Sequence, residues 1–302
     1  MIRLIKTNLR DFAGLFLLPF LIALLPWSLG KRLAVSISRR PWLYHGEAQT
    51  ALRVARTYIP VADEAQWLYE YRLIRFFDDI DLYLWILRGN AWLRKRVTLD
   101  GSWPSEKSFV SITFHWGGGI WAACSMREAG VTISAVALAL ERADYGNAWV
   151  RYWYGRLRTR ETARIMGGGL NFTGSAVRPL IKALAAGYTV FGLFDVPAQN
   201  SVKETAAVLF GRRAQFPRGL ARIAVKQKKP VAVFLSGIDP VSLRHVITID
   251  APVHFEDENA LTRHIAQRLE HAITYRPSAW HHWQLLDGFY AGKSPGVPGS
   301  PT

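Results

Sequence analysis

Residues 109–121 read FVSITFHWGGGIW. An apolar, β-rich run leads to His115, and three glycines then open a stretch with helical character. This order predicts a strand, a tight turn and a helix. It places His115 at the edge of a sheet, where open α/β folds usually have their active sites. The alternative interpretation is a tight turn whose histidine is merely held by backbone groups.

The rest of the chain after this turn alternates between β-rich runs and helical stretches. This alternation predicts an α/β fold in which helices cover a sheet. Upstream, residues 31–100 read as helices, with apolar side chains three and four positions apart. The predicted strands are residues 109–114, 132–140, 188–194, 230–236 and 245–249. The predicted helices are residues 119–128, 149–166, 175–186, 217–228 and 258–274.

An uncharged apolar stretch occupies residues 12–30, FAGLFLLPFLIALLPWSLG. Its length is marginal for spanning a bilayer, which takes about 20 apolar residues, and Pro19 and Pro26 are expected to kink a helix. We favour a segment that spans or lies in a membrane, because basic flanks suit anionic lipids. A buried core helix and a signal peptide remain alternatives, although no small-x-small cleavage site stands out. The basic flanking residues are Arg3, Lys6, Arg10, Lys31, Arg32, Arg39 and Arg40.

The composition is that of a globular chain with a formal net charge of +15 and 12 tryptophans. Such a surplus of positive charge indicates an anionic partner: nucleic acid, lipid head groups or an acidic carrier protein. No recognised nucleic-acid motif accompanies the charge, and the apolar N-terminal stretch argues against that class. The single cysteine, Cys124, excludes an intramolecular disulfide and a Cys-rich zinc cluster. Its apolar neighbours predict a buried structural thiol.

Four segments resemble, in order, the motifs of bacterial lipid A biosynthesis acyltransferases, within the wider His-x4-Asp/Glu lysophospholipid acyltransferase superfamily. Residues 111–121 resemble the histidine motif. Residues 184–195 are similar to the block of leucine, two residues, glycine, apolar strand and aspartate. Residues 210–224 resemble the phenylalanine-glycine and proline-x-glycine stretch, and residues 276–283 the terminal proline-x-x-tryptophan-x-x-tryptophan block. The resemblance covers roughly residues 10–290 and implies a central mixed sheet flanked by helices.

The resemblance also implies a reaction: transfer of an acyl chain from a thioester to a hydroxyl of a lipid or saccharide. His115 is the expected general base, and backbone N–H groups of Gly117, Gly118 and Gly119 are the expected oxyanion donors. The donor substrate is an acyl carrier protein or coenzyme A thioester, and no other cofactor is expected. Residues 1–40 are expected to form the membrane-anchor segment, residues 41–290 the acyltransferase domain and residues 291–302 a disordered tail. The expected location is the cytoplasmic face of the inner membrane of a Gram-negative bacterium.

The histidine motif departs from the family at Ile120, where the family carries an acidic residue. That acid orients the imidazole, and losing such a partner costs orders of magnitude in rate in serine-protease triads. Asp195 is the first candidate substitute, because it also follows a predicted strand, and Glu141 is the second. Both acids could instead be solvated loop residues or arginine partners. A second hypothesis is therefore an inactive homologue that binds lipid or a partner enzyme.

Arginines are the candidate ligands for phosphate groups of donor and acceptor. Arg142 lies where the resemblance implies an arginine after the second predicted strand, and Arg218 and Arg222 lie four apart near the start of a predicted helix. Five arginines within 14 residues follow Arg142, and a solvated helix face explains them equally well. They are Arg151, Arg156, Arg158, Arg160 and Arg164, of which Arg158 is predicted to bind substrate together with Arg142, Arg218 and Arg222.

The histidines suggest no metal site. His281 and His282 are adjacent, and successive helical residues point in different directions. His264 and His271 are seven apart on a predicted helix, with no clear third ligand. The sequence therefore predicts an enzyme without a bound metal.

Overall fold

A computed structural model describes residues 2–173, 176–197 and 204–290. The chain begins with helix α1 (Ile2–Phe12), a π-helical turn (Ala13–Leu17) and helix α2 (Leu18–Leu24) in unbroken succession. The π-helical turn ends two residues before Pro19, which lacks the N–H that a regular helix needs. Pro26 separates α2 from helix α3 (Trp27–Ser38). Both prolines therefore disturb the helix, as the sequence predicts.

The helices before the sheet continue with α4 (His45–Ala55) and the 33-residue α5 (Glu64–Arg96), which is kinked at Gly89. The sequence predicts helices in residues 31–100 but not the length of α5. Nearly every residue from Phe76 to Leu84 is buried, because α5 lies between the sheet and the N-terminal helices. A helix that is buried on all sides has no apolar stripe to reveal it.

The central sheet has seven strands: β1 (Val97–Asp100), β2 (Val110–Thr113), β3 (Ile133–Ala137), β4 (Gly167–Phe172), β5 (Thr189–Leu193), β8 (Val231–Ile238) and β9 (His245–Ile249). Their order in the sheet is β1-β9-β8-β2-β5-β3-β4. Strands β8, β2, β5, β3 and β4 are parallel, whereas β9 and β1 run antiparallel to them. A separate hairpin joins β6 (Glu204–Leu209) to β7 (Arg212–Pro217). The fold is the predicted α/β architecture with a mixed central sheet.

Helices cover both faces of the sheet, which produces two hydrophobic cores. Phe191 and Phe234 belong to the core that contains α5, α6 (Ile120–Glu128) and α7 (Trp149–Met166). Ile112 and Val190 belong to the other core, which contains α8 (Val177–Ala185), α9 (Gly219–Lys226) and α10 (Glu258–Tyr275). Alternating side chains of each strand thus enter opposite cores. Cys124 is buried in the first core, which confirms the prediction of a buried thiol.

The structure confirms all five predicted strands and the helix at residues 149–166, and it adds four strands that the sequence does not predict. β4 begins with three glycines, and β6 contains two alanines, both of which are unfavourable in strands. β1 is only four residues long and lies at an edge. β3 ends at Ala137, three residues before the predicted end, and the next residue, Leu138, is exposed. The expected disordered tail, residues 291–302, lies outside the described residues.

Candidate functional site

The register of two neighbouring parallel strands brings His115 and Asp195 together. Thr113 of β2 pairs with Leu193 of β5, so the two residues after each strand end lie side by side at the carboxyl edge of the sheet. The Phe194 N–H donates to the Thr113 carbonyl oxygen at 3.0 Å and extends the pairing by one step. The edge predicted from the sequence is therefore where the two side chains meet.

Asp195 is fully buried, and its carboxylate is held by three donors. The His115 backbone N–H donates to both carboxylate oxygens, at 3.0 Å and 2.8 Å. The His115 Nδ1 lies 2.9 Å from Oδ1, and the Trp280 indole N–H donates to Oδ2 at 2.7 Å. Burial alone raises the pKa of Asp195, but His115 and the other donors outweigh it and lower that pKa to about 2. Asp195 is thus an ionised acid beside a half-buried imidazole.

A second imidazole, which the sequence does not predict at this site, lies on top of the first. The His282 ring stacks on the His115 ring with centroids 3.5 Å apart and planes 23° from parallel. His282 Nδ1 donates to the backbone carbonyl oxygen of Asp195 at 2.9 Å. Its neighbour His281 donates its backbone N–H to the His115 carbonyl oxygen at 2.9 Å. The only sequence signal was that both histidines lie inside the terminal tryptophan block.

The three glycines after His115 form a turn that only glycine fits at two positions. Gly117 has a positive φ of 50°, and a Cβ there would come within 2.7 Å of the Gly237 Cα. A Cβ on Gly118 would lie 2.7 Å from a carboxylate oxygen of Asp81. The Gly117 N–H is directed at the Ala279 carbonyl oxygen at 3.4 Å. Gly118 and Gly119, which precede α6, are therefore better placed than Gly117 to offer N–H groups to a ligand.

Ile120, the position at which the resemblance implies an acid, is the first residue of α6 and is buried in an apolar core. Carboxylates nevertheless lie close to this turn, because Asp78 and Asp81 of α5 approach Gly118. Each has a counter-group: Asp78 accepts from Arg158, and Asp81 lies 2.7 Å from the His245 Nε2. Asp78 is thus ion-paired with an arginine, and Asp81 is in hydrogen-bond contact with an imidazole.

Arg158 belongs to this buried ionic cluster and is not a free phosphate ligand. It pairs with Asp78 and lies 3.9 Å from Asp79, which also accepts from the Tyr154 hydroxyl at 2.6 Å. Burial disfavours the charge on Arg158, but Asp78 outweighs it and raises the pKa of the guanidinium. Burial raises the pKa of Asp79. The sequence predicts Arg158 as a substrate ligand, and it does not reveal these partners on α5.

The other predicted arginines differ in whether a carboxylate of the protein already pairs with them. Arg142 is exposed and donates to the Gly146 carbonyl oxygen. Arg218 is paired with Glu258 at 2.8 Å, and it borders a hollow of about 420 Å³ whose lining includes four acidic side chains. Arg222, half-buried on α9, has no ion pair among the described residues. Arg222 and Arg142 are therefore the predicted ligands that remain available for an anion.

Glu141, the second candidate acid, lies elsewhere. It is exposed and directly precedes a short 3-10 helix, Arg142–Tyr145. Within the described ranges, Glu141 forms no hydrogen bond or ion pair with His115. Asp195, not Glu141, is the acid that contacts the His115 ring.

His115, Asp195 and His282 are close enough together to be considered as metal ligands. Both carboxylate oxygens of Asp195 are already engaged, and His282 uses Nδ1 as a donor. A metal ion lies in the plane of each imidazole that binds it, and two nearly parallel rings 3.5 Å apart cannot share one ion in both planes. The arrangement fits a hydrogen-bonded imidazole pair better than a metal centre.

Residues 137–286 match the sequence model of the family described as bacterial lipid A biosynthesis acyltransferase. The matched part contains Asp195, His282, Arg222 and the terminal tryptophans, whereas His115 and its glycines lie before it. No curated protein matches the chain.

Proposed function

We propose that this chain is a membrane-surface acyltransferase of the lipid A biosynthesis type, with His115 as its general base. The contact between His115 Nδ1 and Asp195 Oδ1 carries the proposal. An imidazole whose Nδ1–H is held by a carboxylate keeps Nε2 free to accept a proton. Acyl transfer to a lipid acceptor is the activity that the matched family implies.

The proposed reaction has two steps. His115 Nε2 takes the proton from an acceptor hydroxyl as the oxygen attacks the thioester carbonyl carbon. The tetrahedral intermediate then collapses, the carbon–sulfur bond breaks, and the thiolate leaves with the proton from the imidazolium. Asp195 stabilises the imidazolium between the steps, and the N–H groups of Gly118 and Gly119 stabilise the oxyanion.

The donor is an acyl carrier protein or coenzyme A thioester, and both carry phosphate on their pantetheine arms. The net charge of +15 suits either donor. Arg222 and Arg142 are the candidate phosphate ligands, because their guanidinium groups are not neutralised by a carboxylate in the described part of the fold.

The competing hypothesis is an inactive homologue that binds lipid or a partner, and Ile120 motivates it. If the missing acid left the site inactive, the His115 imidazole would have no carboxylate partner. Asp195 supplies that partner from the next strand, at 2.9 Å. This contact favours the enzyme over the binding protein.

We further propose that the N-terminal helix lies in the plane of the membrane. Leu4–Leu24 is long and apolar enough to cross a bilayer, yet it is packed along the domain from end to end. Near its start, Asp11 pairs with Arg151 of α7 at 2.8 Å. At its end, Arg88 of α5 donates to the Ala23 and Leu25 carbonyl oxygens. A crossing helix would draw α5 and its buried charges into the hydrocarbon layer, at a high cost in free energy.

The outward side of this segment has the composition of a lipid-binding face. Eight leucines, isoleucines and phenylalanines between Leu4 and Leu24 are exposed, and Trp149 and Trp153 of α7 are half exposed. Apolar side chains with tryptophan and a basic rim are typical of helices that lie in the interface. The eight residues are Leu4, Ile5, Leu9, Phe12, Leu17, Phe20, Leu21 and Leu24.

Cysteine labelling of intact cells tests this orientation. Lys6→Cys and Arg32→Cys place thiols on either side of the apolar segment, and the native Cys124 is buried. An in-plane helix keeps both thiols on the cytoplasmic side, so an impermeant maleimide labels them only after the membrane is opened. Labelling of one of the two in sealed spheroplasts would show that the helix crosses.

Lipid profiling tests the activity and identifies the acceptor. Cells that lack the gene are complemented with the wild-type chain or with His115→Ala. A lipid species that carries one more acyl chain should appear only with the wild type. If the two strains have the same lipids, the chain is not an acyltransferase in those cells.

A further inference from the structure

We infer that His282 is a positioning residue for His115, and that its ring fixes the His115 imidazole in the orientation needed for proton transfer. This inference rests on the proposed function of His115 as general base. His282 lies 167 positions later in the chain, and nothing in the acyl-transfer mechanism above requires it.

The His115 ring is held on one edge and one face. Asp195 contacts its Nδ1 edge, whereas the His282 ring covers its face with centroids 3.5 Å apart. The hydrogen bond from His115 Nδ1 to Asp195 fixes the tautomer of the His115 ring. It still permits the ring to rotate about the axis of that hydrogen bond. The stacked ring removes that rotation, so Nε2 points in one direction. Small misplacements of a reacting group are costly in rate, which gives the stack a function.

Asp195 couples the two rings. Its carboxylate binds His115, and its backbone carbonyl accepts from His282 Nδ1. A single residue at the end of β5 therefore sets the position of both imidazoles. The terminal tryptophan block completes the arrangement, since Trp280 donates to the same carboxylate.

The second ring is kept neutral, which suits a neighbour that becomes charged during catalysis. Burial, followed by the charge of His115, lowers the pKa of His282 to about 3, although Asp195 acts in the opposite direction. Arg75, which faces this pair from α5, also disfavours a second cation. His281, the remaining titratable neighbour, has its pKa lowered by burial and by Arg75. A neutral aromatic ring stacks favourably on an imidazolium, whereas two cations would repel.

Three variants separate the stack from the hydrogen bond. His282→Ala removes both, His282→Asn keeps a side-chain donor without a ring, and His282→Phe keeps a flat ring without the donor. We expect kcat to fall by about 10²-fold in the Ala and Asn variants while KM for both substrates stays unchanged. The Phe variant should recover most of kcat.

A readout independent of activity keeps this test separate from the proposed function. Diethyl pyrocarbonate modifies unprotonated imidazoles, and peptide mapping reports the modification rate at His115. The exposed His271 is the internal control, because it lies on α10 and should react alike in every variant. His115 should react faster in the Ala and Asn variants than in the wild type, and the Phe variant should protect it.

Three results would overturn the inference. One is equal modification of His115 and equal kcat in all four proteins, which would make His282 a packing residue. Another is recovery of kcat in His282→Asn but not in His282→Phe, which would assign the effect to the hydrogen bond with the Asp195 carbonyl alone. Should the Ala variant fail to fold, the comparison of Phe with Asn still decides.

A loss of activity on treatment with a chelator would instead identify a metal site and also overturn the inference. If His115→Ala is fully active, the proposed function fails, yet the modification rates still report on the stack.

Discussion

His115 and Asp195 occupy equivalent positions two residues beyond the paired ends of β2 and β5, and the His115 Nδ1 lies 2.9 Å from the Asp195 Oδ1. In the proposed mechanism, the orienting acid therefore follows the neighbouring strand and does not lie on the helix that follows the histidine. Ile120, at the helical position, is free to be apolar and to pack in the core. The departure from the family's motif is compatible with a working imidazole–carboxylate pair.

Asp195 makes stability depend on pH in a defined window. The folded pKa is about 2, below the unfolded value of about 3.9, so ionised Asp195 stabilises the folded state. This contribution is fully present above about pH 4 and is lost as the pH falls through 2. The difference in free energy of unfolding between the wild type and Asp195→Asn should be constant from pH 5 to 7 and should shrink below pH 4. A difference that stays constant down to pH 2 would contradict the assignment.

Restoring an acid at position 120 should not help the enzyme. Ile120 is 5% exposed, and an unpaired carboxylate there costs several kcal/mol. Ile120→Glu should lower Tm and leave kcat no higher than that of the wild type, because Asp195 already contacts Nδ1. Ile120→Leu, which conserves volume, is the control and should change both little. A rise in kcat for Ile120→Glu would mean that Asp195 is a poor orienting acid.

Arg222 should contribute to substrate binding more than Arg218. Loss of a charge-assisted hydrogen bond typically costs about 1.5–3 kcal/mol, so Arg222→Ala should raise KM for the acyl donor at least about tenfold without lowering Tm. Arg218→Ala leaves Glu258 without its partner and should mainly reduce stability. Arg263→Ala, exposed on α10, is the matched control. An unchanged KM in Arg222→Ala removes this residue from the binding site.

Trp149 and Trp153 should anchor α7 to lipid. The double variant Trp149→Ser/Trp153→Ser removes two half-exposed rings from the proposed membrane face and should weaken binding to vesicles of anionic lipid at least about tenfold. Tyr275→Ser removes an exposed ring on α10 and is the control. Flotation with the vesicles measures both. Equal flotation of the two variants would place the membrane face elsewhere.

The sequence predicts the strand–turn–helix at residues 109–121 because three glycines and a β-rich run are local signals. It also predicts Asp195 as the acid, since both residues follow strands of one sheet. It does not identify His282, because the stack joins segments 167 positions apart and depends on how the terminal block folds back. The sequence likewise does not reveal the partner of Arg158, because Asp78 lies on a helix whose buried length leaves no periodic signal.

Acyl transfer by purified protein tests the central claim most directly. The wild type, His115→Ala, Asp195→Asn and the double variant are incubated with a radiolabelled acyl thioester and bacterial membrane lipids, and the labelled lipid is quantified. Proton transfer by a placed side chain contributes about 10²–10⁴-fold, so His115→Ala should lose a factor in that range. Asp195→Asn should lose a comparable factor, and the double variant should be little worse than either, because the two residues act as a unit. Wild-type rates in His115→Ala, or losses that multiply in the double variant, would contradict the account.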